Sequence, residues 1–277
     1  MCSPRIVQVA HESAPARALT RRAWLGAAGL GAVSAMAARS TVAQAAPVES
    51  GQVVDLTHAL TPDLPIWPGN TPFTMVPVAW HDRGGFGQNA LVLWEHTGTH
   101  IDAPLHRVRD GASVDRIDAR DLVAPLVVID VSARAAANAD AVLTVSDIQE
   151  WERAHGRIPE RAFVAMYSGW ERRLGDAGSF LNLDGEGRPH APGFAPEAAE
   201  YLVSQRGIVG AGVDTLSLDQ SASRDFGAHT AILGAGRYGV EMLANLGQVP
   251  PSGARVVVGA PTHAGGTGGP CRVFALT

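Results

Sequence analysis

His96-Thr97-Gly98-Thr99-His100-Ile101-Asp102-Ala103-Pro104-Leu105-His106 places three imidazoles and a carboxylate within eleven residues. A helix is disfavoured here: Thr97 and Thr99 are β-branched, Gly98 is a poor interior residue, and Pro104 pushes Ala103 out of helical geometry. In an extended chain, positions 96, 98, 100 and 102 share one face, so His96, His100 and Asp102 point together. A straight strand rises roughly 13 Å over four residues, whereas a metal–imidazole bond is about 2 Å, so one ion can hold both rings only where the chain bends. Gly98 is the expected bend. Two imidazoles and a carboxylate are donors that zinc, manganese or iron accept, and His106 lies close enough to do proton chemistry beside them.

Around this segment, short apolar runs alternate with rather few helices. Extended structure is expected over Val53–Thr57, Phe73–Trp80, Ala90–Glu95, Leu126–Val131, Phe163–Tyr167, Ile208–Val213, Arg255–Gly259 and Arg272–Leu276. Ser146 to Gln149 reads as a capping box opening a helix that ends at His155, with Gly156 beyond it. Pro196 suits the first turn of a helix to Arg206, stopped by Gly207. A third helix is expected over Val240–Leu246. The Gly- and Pro-bearing stretch 175–193 reads as a surface excursion at the mouth of the site.

The first 45 residues carry Thr20-Arg21-Arg22-Ala23-Trp24-Leu25, a small-residue apolar stretch from Trp24 to Ala38, and Ala43-Gln44-Ala45. In that order they read as a twin-arginine-type signal peptide cut after Ala45, with residues 46–277 as one domain exported to the periplasm. The apolar stretch is shorter than the ~20 residues a membrane span needs, so no membrane attachment is expected after cleavage. Without the leader, 17 basic and 26 acidic side chains remain, a net charge of −9, which disfavours nucleic acid as a partner. Every basic residue is arginine, so no lysine exists for a Schiff base or a P-loop. Cys271 is the lone cysteine after residue 45, which excludes an internal disulfide and a cysteine-rich zinc site there. No Gly-x-Ser-x-Gly elbow is present, since Gly111-Ala-Ser113-Val-Asp115 lacks the final glycine.

The pattern His-x-Gly-Thr-His-x-Asp-x-Pro-x-His resembles the signature of the cyclase family of metal-dependent hydrolases, which includes kynurenine formamidase and isatin hydrolase. Pro65, Trp67, Pro68 and Gly69 resemble its Pro-x-Trp-Pro-Gly element, and Gly212 to Asp219 its Gly-x-Asp-Thr-x-Ser-x-Asp segment. His229 with Glu241 and Asn245-Leu246 resemble its second ligand-bearing segment, and Gly268 to Arg272 its closing Gly-x-Pro-x-Arg. The resemblance implies an α/β single domain of the swivelling β/β/α type with a mixed β-sheet core, assembled as a homodimer or homotetramer. It implies that His96, His100 and Asp102 bind metal, that Asp102 can bridge two ions, and that His229 and Glu241 complete a second ion site. The metal would be zinc or manganese, as one or two ions. His106 would be the general acid/base and Trp67 would flank the substrate.

The implied chemistry is attack of metal-bound hydroxide on the C–N bond of an aryl formamide, such as the N-formylkynurenine of tryptophan catabolism, or of a lactam such as isatin. Export favours the lactam. A periplasmic metal-dependent protein that binds a small aromatic acid without turnover is the alternative from another class, and the presence of His106 argues against it. Asp214 and Asp219 are expected to organise the turn beside the metal rather than bind it. His58, His81, His190 and His263 lack ligand spacing and read as surface or internally satisfied residues, with His190 and His263 candidates for the pocket wall. Arg272 reads either as a substrate clamp or as a structural ion pair.

Overall fold

Val123–Asp130 is apolar almost throughout, as suits a central strand covered on both faces. The computed structural model describes residues 51–277, so the expected signal segment lies outside the described residues. Among them, Val123–Asp130 (β5) runs parallel to β7 (Phe163–Tyr167), which is followed in parallel by β9 (Gly210–Val213) and β10 (Tyr238–Glu241). Antiparallel strands extend this centre on both sides. β11 (Arg255–Gly259), β13 (Arg272–Leu276) and β1 (Val53–Asp55) follow β5, while β4 (His100–Asp102) and β12 (Gly268–Pro270) follow β10. The result is a mixed nine-stranded sheet, the α/β arrangement expected from the sequence.

Alternation along the strands divides the core. Leu126, Val128, Phe163 and Ala165 join Ile101, Tyr238 and Val240 on one face. Val127, Ile129, Val164 and Met166 pack on the other, against a helical layer. That layer contains α3 (Val145–His155), α5 (Pro196–Arg206) and α6 (Gly227–Gly234); the shorter α1 (His81–Gly84), α2 (Ser132–Ala137) and α4 (Ala177–Leu181) lie elsewhere along the chain. α5 starts at Pro196 and ends at Gly207, with φ +60°, as its punctuation predicts. α3 is capped by Thr144, not Ser146: the Thr144 hydroxyl accepts from the Asp147 backbone N–H while the Asp147 carboxylate accepts from the Thr144 backbone. The N3 acid chooses the residue three before it, and Ser146 stands one position away from Asp147.

Two further expectations are corrected. Residues 240–246 do not form a helix; Glu241 is the last residue of β10, and the backbone turns left-handed at Met242 (φ 53°) and Asn245 (φ 57°), which no α-helix tolerates. The 175–193 stretch is not part of the pocket wall: it carries α4, and its Phe180 is buried with Trp170, Leu64 and Ala191 in a satellite cluster.

Candidate metal centre

β10 and β4 bring the site together by register. Ile101 and Val240 face each other on the core side, which forces their neighbours onto the opposite face: Glu241 stands across from His100, and Gly239 across from Asp102. On the other edge of β4, Asp102 pairs with Gly268. Glycine is required beside the carboxylate, since a Cβ on Gly239 would come within 2.6 Å of Leu218 and one on Gly268 within 2.8 Å of His96.

The predicted bend is present. Gly98 has φ +67°, regular strand begins only at His100, and His96 thereby folds back until its Nδ1 lies 2.6 Å from Asp102 Oδ1. Gly98→Ala is therefore expected to destabilise the protein by about 1–3 kcal/mol, because alanine is strained at this φ and its Cβ would meet Leu60 at 2.4 Å. Thermal unfolding checks it. A fall in Tm of roughly 2–12 °C is expected for a chain of this size, and an unchanged Tm contradicts the strain argument.

His106 reaches the same place by a second device. After β4, Ala103 is extended and Pro104 opens a tight turn over Pro104–His106, which returns the His106 ring to 3.9 Å, centre to centre, from His96 and 5.9 Å from His229. His229 comes from the first turn of α6. Asp219 anchors that turn by accepting from the backbone N–H groups of Ala228 and His229, and it also takes the ring Nδ1–H at 2.6 Å.

These hydrogen bonds set where the lone pairs point. His100 donates Nδ1–H to the Gly98 carbonyl at 2.7 Å, leaving Nε2 facing Asp102 Oδ1 and Glu241 Oε2, each at 3.3 Å. His229, fixed by Asp219, turns Nε2 toward Glu241 Oε1 at 3.2 Å and Asp102 Oδ2 at 3.5 Å. Each carboxylate thus offers one oxygen to His100 and the other to His229. His100 Nε2 and Asp102 Oδ2 are buried and lack a hydrogen-bond partner, a costly arrangement for the protein alone. Donors around one tetrahedral ion at ~2.1 Å stand about 3.4 Å apart, which is the spacing these atoms keep. His96, Asp102 and His106 also bring donor atoms within 4.8 Å of one another.

The electrostatics agree. Against the desolvation that disfavours a buried cation, Asp102 and Glu241 raise the His100 pKa to about 10, and the same carboxylates with Asp219 raise His229 well above its ordinary value. The field that holds those protons is available to a divalent cation that displaces them. Desolvation lowers His106, assisted by His96 and His229 and opposed by Asp102, so its ring is neutral at neutral pH.

All the residues singled out in the sequence, His96, His100, Asp102, His106, His229, Glu241 and Trp67, converge on this centre. Apart from the fully buried Asp102, they line one cavity of about 320 Å³. Its remaining wall is Asn70, Trp94, Leu216, Ser217 and Phe226; Ser217 is the fixed serine of the Gly-x-Asp-Thr-x-Ser-x-Asp segment, whereas the other four occupy no fixed motif position. Asp214 organises a turn as expected, accepting from Ser168 and Trp170 backbone N–H groups at 3.0 Å. Arg272 pairs with Asp55 at 2.6 Å on the surface, the structural option of the two. His190 and His263 pair with Asp140 and Glu95, outside the cavity lining.

The sequence model of the cyclase family matches residues 54–220. The chain belongs to the cyclase family. This cyclase-family chain is 38% identical over 243 residues to isatin hydrolase from Roseibium aggregatum, spanning 81% of this chain and 91% of that protein. It is 30% identical over 201 residues to kynurenine formamidase from Bacillus mycoides, spanning 72% and 84%. Among solved structures, isatin hydrolase A from Ralstonia solanacearum superposes with a TM-score of 0.77 at 41% identity, over 82% of this chain and 92% of that one. The chain is thus a metal-dependent hydrolase of the amidohydrolase type.

Proposed function

We propose that this protein hydrolyses the C–N bond of a small aromatic cyclic amide, an isatin-type lactam. The observation that carries the reading is a cavity with Trp67, Trp94 and Phe226 on its walls and the His/Asp/Glu cluster at its floor. Aromatic walls hold a planar ring by offset or edge contact, and the cluster lies where the ring's carbonyl would reach. Support for a lactam over a formamide is the greater identity and coverage of the isatin hydrolase match relative to the formamidase one. In the cage of His96, His100, Asp102, His229 and Glu241, a divalent cation, zinc or manganese, as one ion or as two bridged by Asp102, would lower a water's pKa from ~15.7 toward ~7 and polarise the carbonyl. His106 Nδ1/Nε2 takes the proton from water and returns it to the departing nitrogen. Trp67 orients the ring.

Purified protein assayed against isatin, N-formylkynurenine and simple lactams tests this. Ring opening of isatin with the greatest kcat/KM is expected. Preference for N-formylkynurenine would replace the lactam reading with the formamidase one, and metal-loaded protein inert toward all three would overturn hydrolysis of this class.

The chain works as a homodimer or homotetramer, with a second copy covering the hairpin of β2 (Thr74–Ala79) and β3 (Gln88–Val92). Met75, Val76, Val78, Trp80, Leu91, Val92 and Trp94 are each about half exposed, from 47% to 57%. A two-stranded hairpin is marginal by itself, and these seven side chains, with Met75 and Leu91 on one face and Val76 and Val92 on the other, offer on the order of 700 Å² together, so a copy that clasps both faces would bury close to the ~800 Å² of a standard interface. Residues 73–94 contain Asp82 and Arg83 as their sole charges apart from a histidine, so a second copy can face this surface without burying unpaired charge. Light scattering after size exclusion is expected to give an oligomer for the wild type and a monomer for Val76→Glu/Leu91→Glu. A double variant that stays oligomeric contradicts the assignment. Export to the periplasm rests on the Arg21-Arg22 motif and its following cleavage pattern; processing after Ala45 in fractionated cells is the expected result.

A further inference from the structure

We infer that Glu95, acting through Thr267, is a positioning residue that fixes the tautomer of His96 and makes it a metal ligand through Nδ1. The inference rests on the metal reading above. Glu95 is partly exposed, and its carboxylate accepts from the Thr267 backbone N–H at 3.1 and 3.2 Å, from the Thr267 hydroxyl, and from His263 Nε2 at 2.7 Å. A carboxylate is acceptor-only, so the Thr267 hydroxyl spends its single proton on Glu95. Towards its other neighbour, His96 Nε2 at 3.0 Å, that oxygen can only accept. The proton of the neutral His96 ring is thereby assigned to Nε2.

The consequence falls on the other ring nitrogen. Nδ1, left with a lone pair, faces Asp102 Oδ1 at 2.6 Å. With the ring neutral and Asp102 ionised, two lone pairs oppose each other at contact distance, an arrangement that a cation relieves. His100 and His229 obey the same rule by other means, each donating Nδ1–H to an oxygen and presenting Nε2. Of the three imidazoles, His96 alone is turned the other way, and Glu95–Thr267 is what turns it. Oxygen partners behind a ligating imidazole fix the ring orientation and raise its basicity, and removing them weakens metal affinity by about 10–100-fold.

Thr267→Val keeps the side-chain shape and removes the hydroxyl; Thr267→Ser keeps the hydroxyl; Glu95→Gln leaves the hydroxyl without its acceptor-only partner. Zinc and manganese dissociation constants, measured by competition with a chromophoric chelator, are the primary readout. A roughly 10–100-fold loss of affinity is expected for Thr267→Val, with Thr267→Ser close to wild type and Glu95→Gln weakened. On ¹⁵N-histidine-labelled zinc protein, one ring is expected to show a protonated Nε2, and Thr267→Val is expected to alter that signal. A role confined to folding would move neither reading while lowering Tm alike in Val and Ser variants. Undiminished affinity in Thr267→Val and Glu95→Gln, with metal bound normally by the wild type, overturns this inference alone; a wild type that binds no metal overturns it together with the metal reading.

Discussion

His106→Ala is expected to retain its metal and lose activity by about 100- to 10,000-fold, the usual contribution of a positioned general acid/base. The ring stands at the open side of the cavity, close to His96 and His229, and those neighbours together with desolvation keep it neutral and ready to accept a proton. It belongs to one candidate ligand group, with His96 and Asp102, so the variant also discriminates between two roles. Metal content near wild type with lost turnover identifies a proton carrier. Loss of both identifies a ligand, and full turnover by the metal-loaded variant removes His106 from the mechanism. The pH profile adds a check: wild-type kcat/KM is expected to fall as pH drops below the lowered His106 pKa, because protonation removes the base, and that acid limb is expected to vanish in His106→Ala.

Asp102→Ala is expected to abolish stoichiometric metal binding and to reduce activity on the order of a thousand-fold or more. Asp102 is fully buried and is the one residue that approaches His96, His100 and His229 together, at 2.6, 3.3 and 3.5 Å. Without it His100 and His229 share only Glu241, and His96 keeps no carboxylate in common with them. A bound cation contributes several kcal/mol to the transition state, and ~1.4 kcal/mol corresponds to a factor of ten. Stability follows the same logic. Binding to the folded state alone adds about 4 kcal/mol when metal is present at a thousand times its dissociation constant. Chelation of the wild type should then lower Tm by roughly 8–16 °C. Asp102→Ala should show no such chelator-dependent shift. A Tm insensitive to chelator in the wild type would contradict the cage.

Legibility in the sequence tracks how local the determining interaction is. His96, His100, Asp102 and His106 lie within eleven residues; period-two alternation with a glycine bend converges the first three, and the Pro104 turn returns His106 to them. The strands Phe163–Tyr167, Arg255–Gly259 and Arg272–Leu276 form over those residues because their branched and aromatic content suits extended chain, fully buried in the first and alternating between core and outer face in the other two. β10 is hidden from local pattern because it is four residues long, contains Gly239, and takes its extended form from partners at 210–212 and 100–102. Glu241 stands out only through the resemblance, and it ends a strand in place of the expected helix. α6, which carries His229, went unseen: its N-terminus is held by Asp219 eight or more residues earlier, not by a neighbouring cap. Trp94, Phe226 and Asn70 reach the cavity from separate loops or strand ends, so nothing in their spacing announces a wall.

β4, β10 and α6 bring His100, Asp102, Glu241 and His229 together as a cage for a divalent cation. Anomalous diffraction from metal-loaded crystals, collected on both sides of the zinc and manganese absorption edges, tests it most directly. A peak is expected about 2.0–2.2 Å from His100 Nε2 and from an oxygen of both Asp102 and Glu241. A catalytically competent crystal with no peak there, or with its metal held by other residues, would contradict it.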